Sequence, residues 1–392
     1  MNGIYKLSNP VKHYDWGSPE SIPSLLNITN PEKKPYAEMW MGNMSLTDGT
    51  ALDEIIKESP DFFLGPEVNR RYAGSLPYLF KLLAAEKPLS IQVHPNLEQA
   101  NAGFARENAR HIPLESAERT YKDANHKPEI ICALTDYDAL CGFRTKCEIQ
   151  NMFRAFNCPA LENFLELFNK DNKEDPLKLL MKKVFSLSDT IKEEIEIYIK
   201  ENITNLCTLA PQYASVWNII NLFAQIYPHD AAIISPLYMN HIKLKPEEAI
   251  YLPAGVPHCY IHGFGVELMA NSDNVIRGGL TAKFIDTKEL FNIVNFHEFT
   301  PPIIKPDNTN VYAYKTEAKE FSLSVIQNTK ETMRLPVLGP VILVVTRGTC
   351  TVSHAGGTLN LNQGESAFLA AGIENGNVEL CGAFTVYAAG VP

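Results

Sequence analysis

Two similar segments in the second half of the chain constrain its fold more than any other feature. Residues Ile242–Gly255 align without a gap with Leu359–Gly372, at an offset of 117 residues (242 to 359). Each copy predicts a strand, a turn with an acidic residue, an apolar strand and a glycine turn. Copies this far apart favour two related β-domains over a solenoid, whose repeats follow one another at a short period. The first copy leads into His258, whereas the second has Asn375 at the matching position. If His258 binds a metal, we expect one metal site, in the first β-domain only.

Length and composition narrow the class of protein. A chain of 392 residues, 45% hydrophobic and 20% charged, is typical of a globular protein with two or three domains. The net charge of −10 argues against a broad nucleic-acid surface. No long apolar stretch predicts a membrane helix, and the first residues lack the apolar core of a signal peptide. The eight cysteines contain no Cys-x-x-Cys pair and are typical of reduced thiols, so we expect a cytoplasmic protein. From its charge and hydropathy we expect no nucleic-acid or membrane partner.

The texture of the chain changes three times. Residues 1–145 mix apolar runs with Pro and Gly turns, and they predict strands at Tyr78–Leu83, Leu89–Val93 and Ile130–Leu134. Residues 146–228 follow a helical period, and Thr190 with Glu193 predicts a capping box at the start of one helix. Strands return in 229–299, and 300–392 reads as a small sandwich or jelly roll. We therefore predict one β-domain from 1–145 and 229–299, a structural helical domain from 146–228, and a metal-free β-domain from 300–392.

Four polar side chains form a candidate metal-binding set. Gln92 and His94 share one face of a predicted strand because side chains alternate with period two. Glu129 enters the strand Ile130–Leu134, and His258 follows the turn at Gly255. Two imidazoles, a carboxylate and an amide oxygen suit zinc, and iron, manganese, cobalt or nickel remain open. Each residue alone is weak evidence for a metal site. An isolated histidine is more often a hydrogen-bonded polar group than a ligand, and glutamine, as at Gln92, is an uncommon ligand.

A second candidate site lies in the segment Glu267–Lys283, which places two cations and two acids among glycines and small residues. It reads either as a surface loop with paired charges or as a phosphate clamp. In the second reading Arg277 binds an oxyanion bidentately and Lys283 acts as a point charge. The chain contains no Walker loop, no Gly-x-Gly-x-x-Gly after a strand, no His-Glu-x-x-His and no Gly-x-Ser-x-Gly. Nucleotide-driven chemistry and serine hydrolysis are therefore disfavoured.

Six segments together make the sequence recognisable. They occur in one order along the first three quarters of the chain and are Tyr14–Ser18, Ala37–Gly42, Pro88–Pro95, Asn125–Glu129, Pro253–Tyr260 and Ser272–Thr281. With them the chain resembles the type I phosphomannose isomerases of the cupin superfamily. It departs from the family at Cys259 and Gly278, where Ala is common, and the last 90 or so residues match mainly by pattern.

The resemblance implies a fold, an activity and a site. The fold would be mainly β with a helical insertion: two cupin jelly-roll β-domains plus an α-helical domain. One zinc ion per chain would be held by Gln92, His94, Glu129 and His258. The reaction would interconvert mannose 6-phosphate and fructose 6-phosphate through a cis-enediol, so the partner is a phosphorylated hexose, and we expect a monomer.

The resemblance also nominates residues around the metal. The catalytic candidates are Lys127, His126, Asp273, Glu267 and Arg277, and the substrate-binding candidates are Ser90, Lys81 and Lys283. Arg277 stays protonated and is read as an electrostatic stabiliser, whereas the identity of the base stays open.

Two other classes of function remain open from the sequence. A metal-dependent cupin oxygenase would use a site of two histidines and one carboxylate, although Gln92 and the cation cluster argue against it. A non-catalytic sugar-binding or storage protein would have no need of Lys127, Asp273 and Arg277 around the metal.

Overall fold

The computed structural model describes residues 3–42, 45–169, 173–307, 309–329 and 331–392. Within these ranges the chain is about equally helix and antiparallel sheet, so the expected sheets are present but the helical share is larger than "mainly β" implies. No helix in this part combines the length and the apolar character needed to cross a bilayer. The eight cysteines all lie in the described ranges, and all are free thiols.

The strands, in chain order, are β1 (Ile4–Ser8), β2 (Val11–Lys12), β3 (Glu38–Met41), β4 (Ser45–Leu46), β5 (Tyr78–Ala85), β6 (Gln92–Val93), β7 (Glu129–Ala133), β8 (Tyr137–Phe143), β9 (Met239–Leu244), β10 (Ala249–Leu252), β11 (His258–Ala270), β12 (Ile276–Arg277), β13 (Val311–Tyr314), β14 (Ser322–Asn328), β15 (Met333–Pro336), β16 (Val341–His354), β17 (Gly357–Asn362), β18 (Ser366–Leu369), β19 (Asn377–Cys381) and β20 (Phe384–Gly390).

The α-helices are α1 (Ser21–Leu25), α2 (Leu52–Glu58), α3 (Pro60–Leu64), α4 (Pro66–Tyr72), α5 (Leu97–Ala109), α6 (Lys146–Phe156), α7 (Pro176–Phe185), α8 (Asp189–Leu209), α9 (Ala214–Ile226) and α10 (Thr287–Ile293). Short 3₁₀ helices span Pro159–Phe168, Pro211–Tyr213, Ala231–Leu237 and Glu374–Gly376.

The long strand β11 joins the two sheets of the first β unit. Its first half, His258–His262, pairs with β8, and its second half, Gly263–Ala270, pairs with β5. Gly263 marks the change of sheet: its φ is +133°, and a Cβ there would collide with the Tyr137 ring. Only glycine adopts such a backbone conformation at little cost. The two sheets run β10-β7-β11-β5-β3-β2 and β12-β6-β11-β8-β9.

The second β unit has the same construction. Strand β16 pairs with β20 and β18 along Val341–Gly348 and with β17 and β19 along Thr349–His354. The two sequence repeats form the same local structure, because β10 (Ala249–Leu252) and β18 (Ser366–Leu369) lie at the offset of 117 residues. Between its sheets the second unit is filled by apolar side chains such as Val345, Val352 and Leu380.

A helical block from α6 to α9 packs against the first β unit. Its core surrounds the fully buried Trp217 and continues to Val93 and Ile276, on the strands β6 and β12. Cys259 is also buried in this core, and its thiol donates to the backbone oxygen of Leu89.

Two local predictions were wrong. The cap of α8 is Ser188, not Thr190: its hydroxyl accepts a hydrogen bond from the backbone N–H of Ile191, and the helix begins at Asp189. A competing hydroxyl stood two residues earlier, and serine is an equally good N-cap. The predicted strand Leu89–Val93 shrinks to Gln92–Val93, because the N–H of Leu89 bonds to Tyr260 and that of Ile91 to Gly279, on two different segments.

We predict that Gly103→Ala destabilises the protein. Gly103 lies in α5 against the buried ring of Tyr121, and an added Cβ would lie well inside van der Waals contact of that ring. Overpacking of this kind costs about 1–3 kcal/mol. Denaturant unfolding should therefore show a lower free energy of unfolding. In an open helix the same change would stabilise by roughly 0.5–1 kcal/mol, so a more stable variant would contradict the packing. The control is Asn101→Ala, at an exposed position of the same helix.

Candidate active site and metal centre

Three buried side chains from separate segments converge in the first β unit. His94 follows β6, Glu129 begins β7 and His258 begins β11. The Glu129 Oε1 lies 3.4 Å from His94 Nε2, and the Glu129 Oε2 lies 3.5 Å from His258 Nε2. One ligand atom from each residue lies within 4.8 Å of the other two, which is the spacing of a shared cation. Within the described residues this is the one group of histidine, cysteine and acidic side chains that meets that criterion.

The hydrogen bonds of the two histidines fix which nitrogen faces the centre. His94 Nδ1 donates to the backbone oxygen of Asn274 at 2.8 Å, and His258 Nδ1 donates to that of Val256 at 3.0 Å. Because a carbonyl only accepts, each Nδ1 carries a proton, and in the neutral ring the Nε2 presents its lone pair to Glu129. The His94 Nε2 is buried without a hydrogen-bond partner. Two lone pairs beside a carboxylate repel one another unless a cation lies between them, so these residues fit a metal ion.

The protonation states agree with this fit. Burial, followed by the charge of Lys127, lowers the pKa of His94 to about 4. Burial alone would raise the pKa of Glu129, but the charge of Lys127 and the contacts with His94 and His258 hold it well below its usual range. At neutral pH the imidazole is therefore neutral and the carboxylate ionised, which are the forms that bind metals.

Gln92 lies beside this group. It pairs with His258 on one side and with Arg277 on the other, in the register of β6 with β11 and β12. Its side chain borders the same cavity as Glu129 and His258. Its role as a fourth ligand stays a prediction.

A cavity of about 530 Å³ opens onto the metal-binding group. Ten of the twelve predicted site residues border it: Lys81, Ser90, Gln92, Lys127, Glu129, His258, Glu267, Asp273, Arg277 and Lys283. His94 lies behind Glu129, in contact with it. His126 does not border the cavity either, and its Nε2 contacts Glu320 Oε1 at 3.0 Å.

Buried ion pairs form the floor of the cavity. Lys81 and Glu267 are direct cross-strand partners on β5 and β11, and their charged groups lie 2.7 Å apart. Lys81 also contacts Glu38 at 3.0 Å. Burial lowers the pKa of Lys81, but the charges of Glu267 and Glu38 outweigh it and raise that pKa overall. Burial raises the pKa of Glu267 against the opposing charge of Lys81. Since two carboxylates already neutralise Lys81, its fit to the predicted phosphate-binding role is poorer than that of an unpaired cation.

Arg277 and Lys127 differ in how their charges are balanced. Lys127 lies 2.8 Å from Glu129 and is buried with it. Arg277 is half-buried, and no ion pair joins its guanidinium to any residue in the described part of the chain. Burial lowers the pKa of Arg277, yet an arginine remains charged at neutral pH. It is therefore a cation available to an anionic ligand.

Sequence reasoning missed the aromatic residues around the cavity. Tyr14, Trp16, Trp40 and Tyr227 border it, together with Glu38. The Trp40 indole N–H donates to Glu38 Oε2 at 2.7 Å, which holds both side chains in place. The sequence does contain an indication of them, because all but Tyr227 lie in the segments that resemble a known family. Those segments alone give no role to the aromatic side chains. Aromatic faces beside hydrogen-bonding groups suit a sugar ring.

The fold and the site together define a metal-binding protein. Its metal-binding side chains lie at a cavity that charged side chains line, within a β unit. Residues 4–146 match the model of the phosphomannose isomerase type I catalytic domain. The mannose-6-phosphate isomerase of Escherichia coli K12 is 36% identical over 385 residues, which cover 94% of this chain and 95% of that protein. Mannose-6-phosphate isomerase 1 of Arabidopsis thaliana is 30% identical, over 95% of this chain and 90% of its own length.

Solved structures agree with these relatives. An alanine mutant of phosphomannose isomerase from Salmonella typhimurium superposes with a TM-score of 0.89 and 33% identity, over 99% of both chains. A zinc-bound mannose 6-phosphate isomerase superposes with a TM-score of 0.88 and 33% identity, also over 99% of both chains. The chain therefore belongs to the type I phosphomannose isomerase family, and the resemblance seen in the sequence is confirmed.

We predict that His94 makes the metal-free protein sensitive to acid. Because burial lowers its pKa from 6.5 to about 4, the unfolded chain binds a proton in this pH range that the folded chain does not. The stabilisation is present above pH 6.5 and is lost as the pH falls towards 4. Urea unfolding in a chelator should show a loss of about 2–3 kcal/mol from this residue. His94→Gln should lose correspondingly less over the same range, and equal losses in both proteins would contradict the assignment.

Proposed function

We propose that the chain is a zinc-dependent aldose–ketose isomerase that interconverts mannose 6-phosphate and fructose 6-phosphate. The observation that carries the proposal is the buried group of two histidines and one glutamate, opening onto an ion-lined cavity in a chain of this family. The curated relatives are named mannose-6-phosphate isomerase, and one structural neighbour is described as zinc-bound. The proposed partner is a phosphorylated hexose. A monomer and a cytoplasmic location stay predictions.

We further propose that both β units are cupin jelly rolls. In this division 1–145 and 229–299 build the catalytic unit, 146–228 the helical domain and 300–392 the metal-free unit. The support is that β11 and β16 each connect two sheets. The exposed Asn375, at a φ of +65°, stands at the position matching His258 and leaves the second unit without that ligand.

In this proposal His94, Glu129 and His258 hold the zinc ion, with Gln92 as the fourth protein ligand. When bound, a divalent ion supplies a Lewis acid where negative charge develops on the sugar oxygens. The protein residues orient it: two carbonyl oxygens fix the imidazoles, and Lys127 keeps Glu129 ionised.

The reaction moves a proton between C1 and C2 of the open-chain sugar, so a positioned acid/base is required. Lys127 is paired with Glu129 at 2.8 Å, and an ammonium held by a carboxylate is a poor base. Glu267 is the better candidate, because it is a carboxylate that borders the cavity and burial raises the pKa of its carboxyl. Asp273 stays a candidate at the exposed rim of the cavity, whereas His126 faces Glu320.

Cationic side chains at the cavity wall would bind the negatively charged groups of the substrate. Arg277 has no acidic partner in the described part of the chain, so its guanidinium can stabilise an oxyanion bidentately. Ser90 and Lys283 border the same cavity and are the proposed phosphate contacts, with Lys81, already paired with Glu38 and Glu267, as a further charge. In a chain of net charge −10, local cations are needed to attract an anionic ligand.

The geometry of the metal group alone also fits an iron oxygenase, because two histidines and a carboxylate are the ligands of that class. Family membership and the unpaired Arg277 favour the isomerase. The two functions differ in their assay: an isomerase produces fructose 6-phosphate without consuming oxygen.

We predict that activity depends on the metal and on its ligands. Treatment with a chelator should abolish the formation of fructose 6-phosphate from mannose 6-phosphate, and added Zn²⁺ should restore it. Zn²⁺ should not restore His94→Ala, because the ligand itself is missing. Metal content is measured in parallel by mass spectrometry. Full activity in a preparation shown to be metal-free, or oxygen uptake in place of sugar isomerisation, would overturn the proposal.

We predict that Arg277→Ala lowers kcat/KM by about 10²–10³, the usual effect of removing a group that stabilises developing charge. Its metal content should match the wild type, because the Arg277 side chain is outside the histidine–glutamate group and the substitution keeps the backbone pairing with Gln92. The control is Arg347→Ala, an exposed arginine of the second β unit that does not border the cavity. Parallel losses of metal and activity in Arg277→Ala would instead indicate a structural role.

A further inference from the structure

Asn274 is a fully buried side chain at the junction of three segments that carry site residues. Its Oδ1 accepts from the backbone N–H of Lys122 at 2.7 Å and of Asp123 at 3.3 Å. Its Nδ2 donates to the backbone oxygens of Asp123 at 2.9 Å and Asn125 at 2.8 Å. The amide thus uses both its acceptor and its donors, and every one of these bonds leads to the loop 122–125.

The same residue touches the metal group through its own backbone. The oxygen of Asn274 is the acceptor of the His94 Nδ1–H, the bond that leaves Nε2 unprotonated and directed at Glu129. A carbonyl can be held at this position only if the peptide on either side of it is fixed. The side chain of Asn274 supplies that fixation, because it anchors the residue to the loop 122–125.

The loop 122–125 in turn binds the segment 272–274 through the side chain of Asp123. The Asp123 carboxylate accepts from Ser272 Oγ at 2.9 Å, from the Asp273 N–H at 2.8 Å and from Asn274 Nδ2 at 3.2 Å. Ser272 Oγ in turn accepts from the Asn274 N–H at 3.2 Å. Each loop therefore satisfies the backbone of the other, and neither conformation is independent of its partner.

These two loops deliver the functional side chains. Residues 122–125 lead directly to Lys127 and Glu129, and residues 272–274 lead to Arg277 on β12, which pairs with Gln92. The pairing of β12 with β6 covers only Ile276↔Val93 and Arg277↔Gln92. Backbone hydrogen bonds between Ile91 and residues Gly278 and Gly279 continue this contact after Arg277. The hydrogen bonds of Asn274 hold the segment before β12, where the carbonyl contacts His94.

We infer that Asn274 is a positioning residue for the metal centre. Its side chain sets the distance between His94 and Glu129 by tying the carbonyl that orients one ligand to the loop that presents the other. It touches neither metal nor substrate. The inference rests on the proposed metal-binding function, although not on the identity of the sugar.

The test is the affinity for zinc of Asn274→Ala, measured by competition with a chromophoric chelator. Loss of a residue that orients a ligand typically weakens metal binding by about 10- to 100-fold, and we expect a loss in that range. The control is Asn271→Ala, an exposed asparagine of the same loop whose Nδ2 makes a single bond, to the Leu76 oxygen. Its zinc affinity should match the wild type. Unchanged zinc affinity in folded Asn274→Ala would overturn the inference.

Two further measurements separate positioning from general loss of structure. Ser272→Ala removes one link of the same network and should weaken zinc binding by less than Asn274→Ala does. With cobalt in place of zinc, the visible absorption spectrum of Asn274→Ala should differ from the wild type even at saturating metal, because the ligand geometry has changed. An unaltered spectrum in a protein that merely melts at a lower temperature would show a structural role and would contradict the inference.

Kinetics at saturating zinc complete the test. If the wild type isomerises mannose 6-phosphate, Asn274→Ala should show a reduced kcat with a nearly unchanged KM, because the substrate contacts remain. If the wild type has no such activity, the proposed reaction fails, but the zinc affinities and cobalt spectra still decide the role of Asn274.

Discussion

The site depends on one buried carboxylate placed between two imidazole lone pairs. Glu129 lies about equally far from the Nε2 atoms of His94 and His258, and all three side chains are buried. Nothing in the surroundings supplies a hydrogen to the His94 Nε2. Burying acceptors against one another without a donor costs free energy, and a divalent cation removes that cost. The metal-binding group is therefore organised in advance by hydrogen bonds on its far side, from the carbonyls of Asn274 and Val256.

The charges around this group are also incomplete without a cation. Three buried carboxylates, Glu38, Glu129 and Glu267, face two buried ammonium groups, Lys81 and Lys127. When all are ionised, the cluster carries one net negative charge. Burial, with a smaller contribution from the charges of Glu129 and Glu38, raises the pKa of Glu267. A divalent ion reverses the sign of the cluster. The cavity then becomes positive where an anionic sugar phosphate would enter, which accords with the unpaired guanidinium of Arg277.

Much of this could be predicted from the sequence, for reasons visible in particular residues. The period of two in a strand nominated Gln92 and His94, although the strand ends at Val93 and only Gln92 borders the cavity. The repeat at Gly255 and Gly372 predicted a strand after each acidic turn. The sequence could not reveal that His126 turns to Glu320 or that Lys81 is shared by Glu38 and Glu267, because those partners lie far away in the chain. The role of Asn274 could not be predicted for a related reason. An asparagine in a polar loop resembles any turn residue until its four backbone hydrogen-bond partners are known.

The strands beneath the cavity use their two faces for different purposes. On β5 and β11 the charged Lys81 and Glu267 face the cavity, whereas their neighbours Leu82 and Val266 face the opposite side. That side packs against apolar side chains of the second β unit, including Val344 on β16. The inner face also carries apolar side chains that pack together, such as Leu83, Ile131 and Leu252. The ion pairs beside them cost desolvation free energy. The second unit has an apolar interior and needs no such pairing. By covering the outer face of the first unit, it adds hydrophobic burial to that of the inner apolar cluster, and both offset the cost of the charges on β5 and β11.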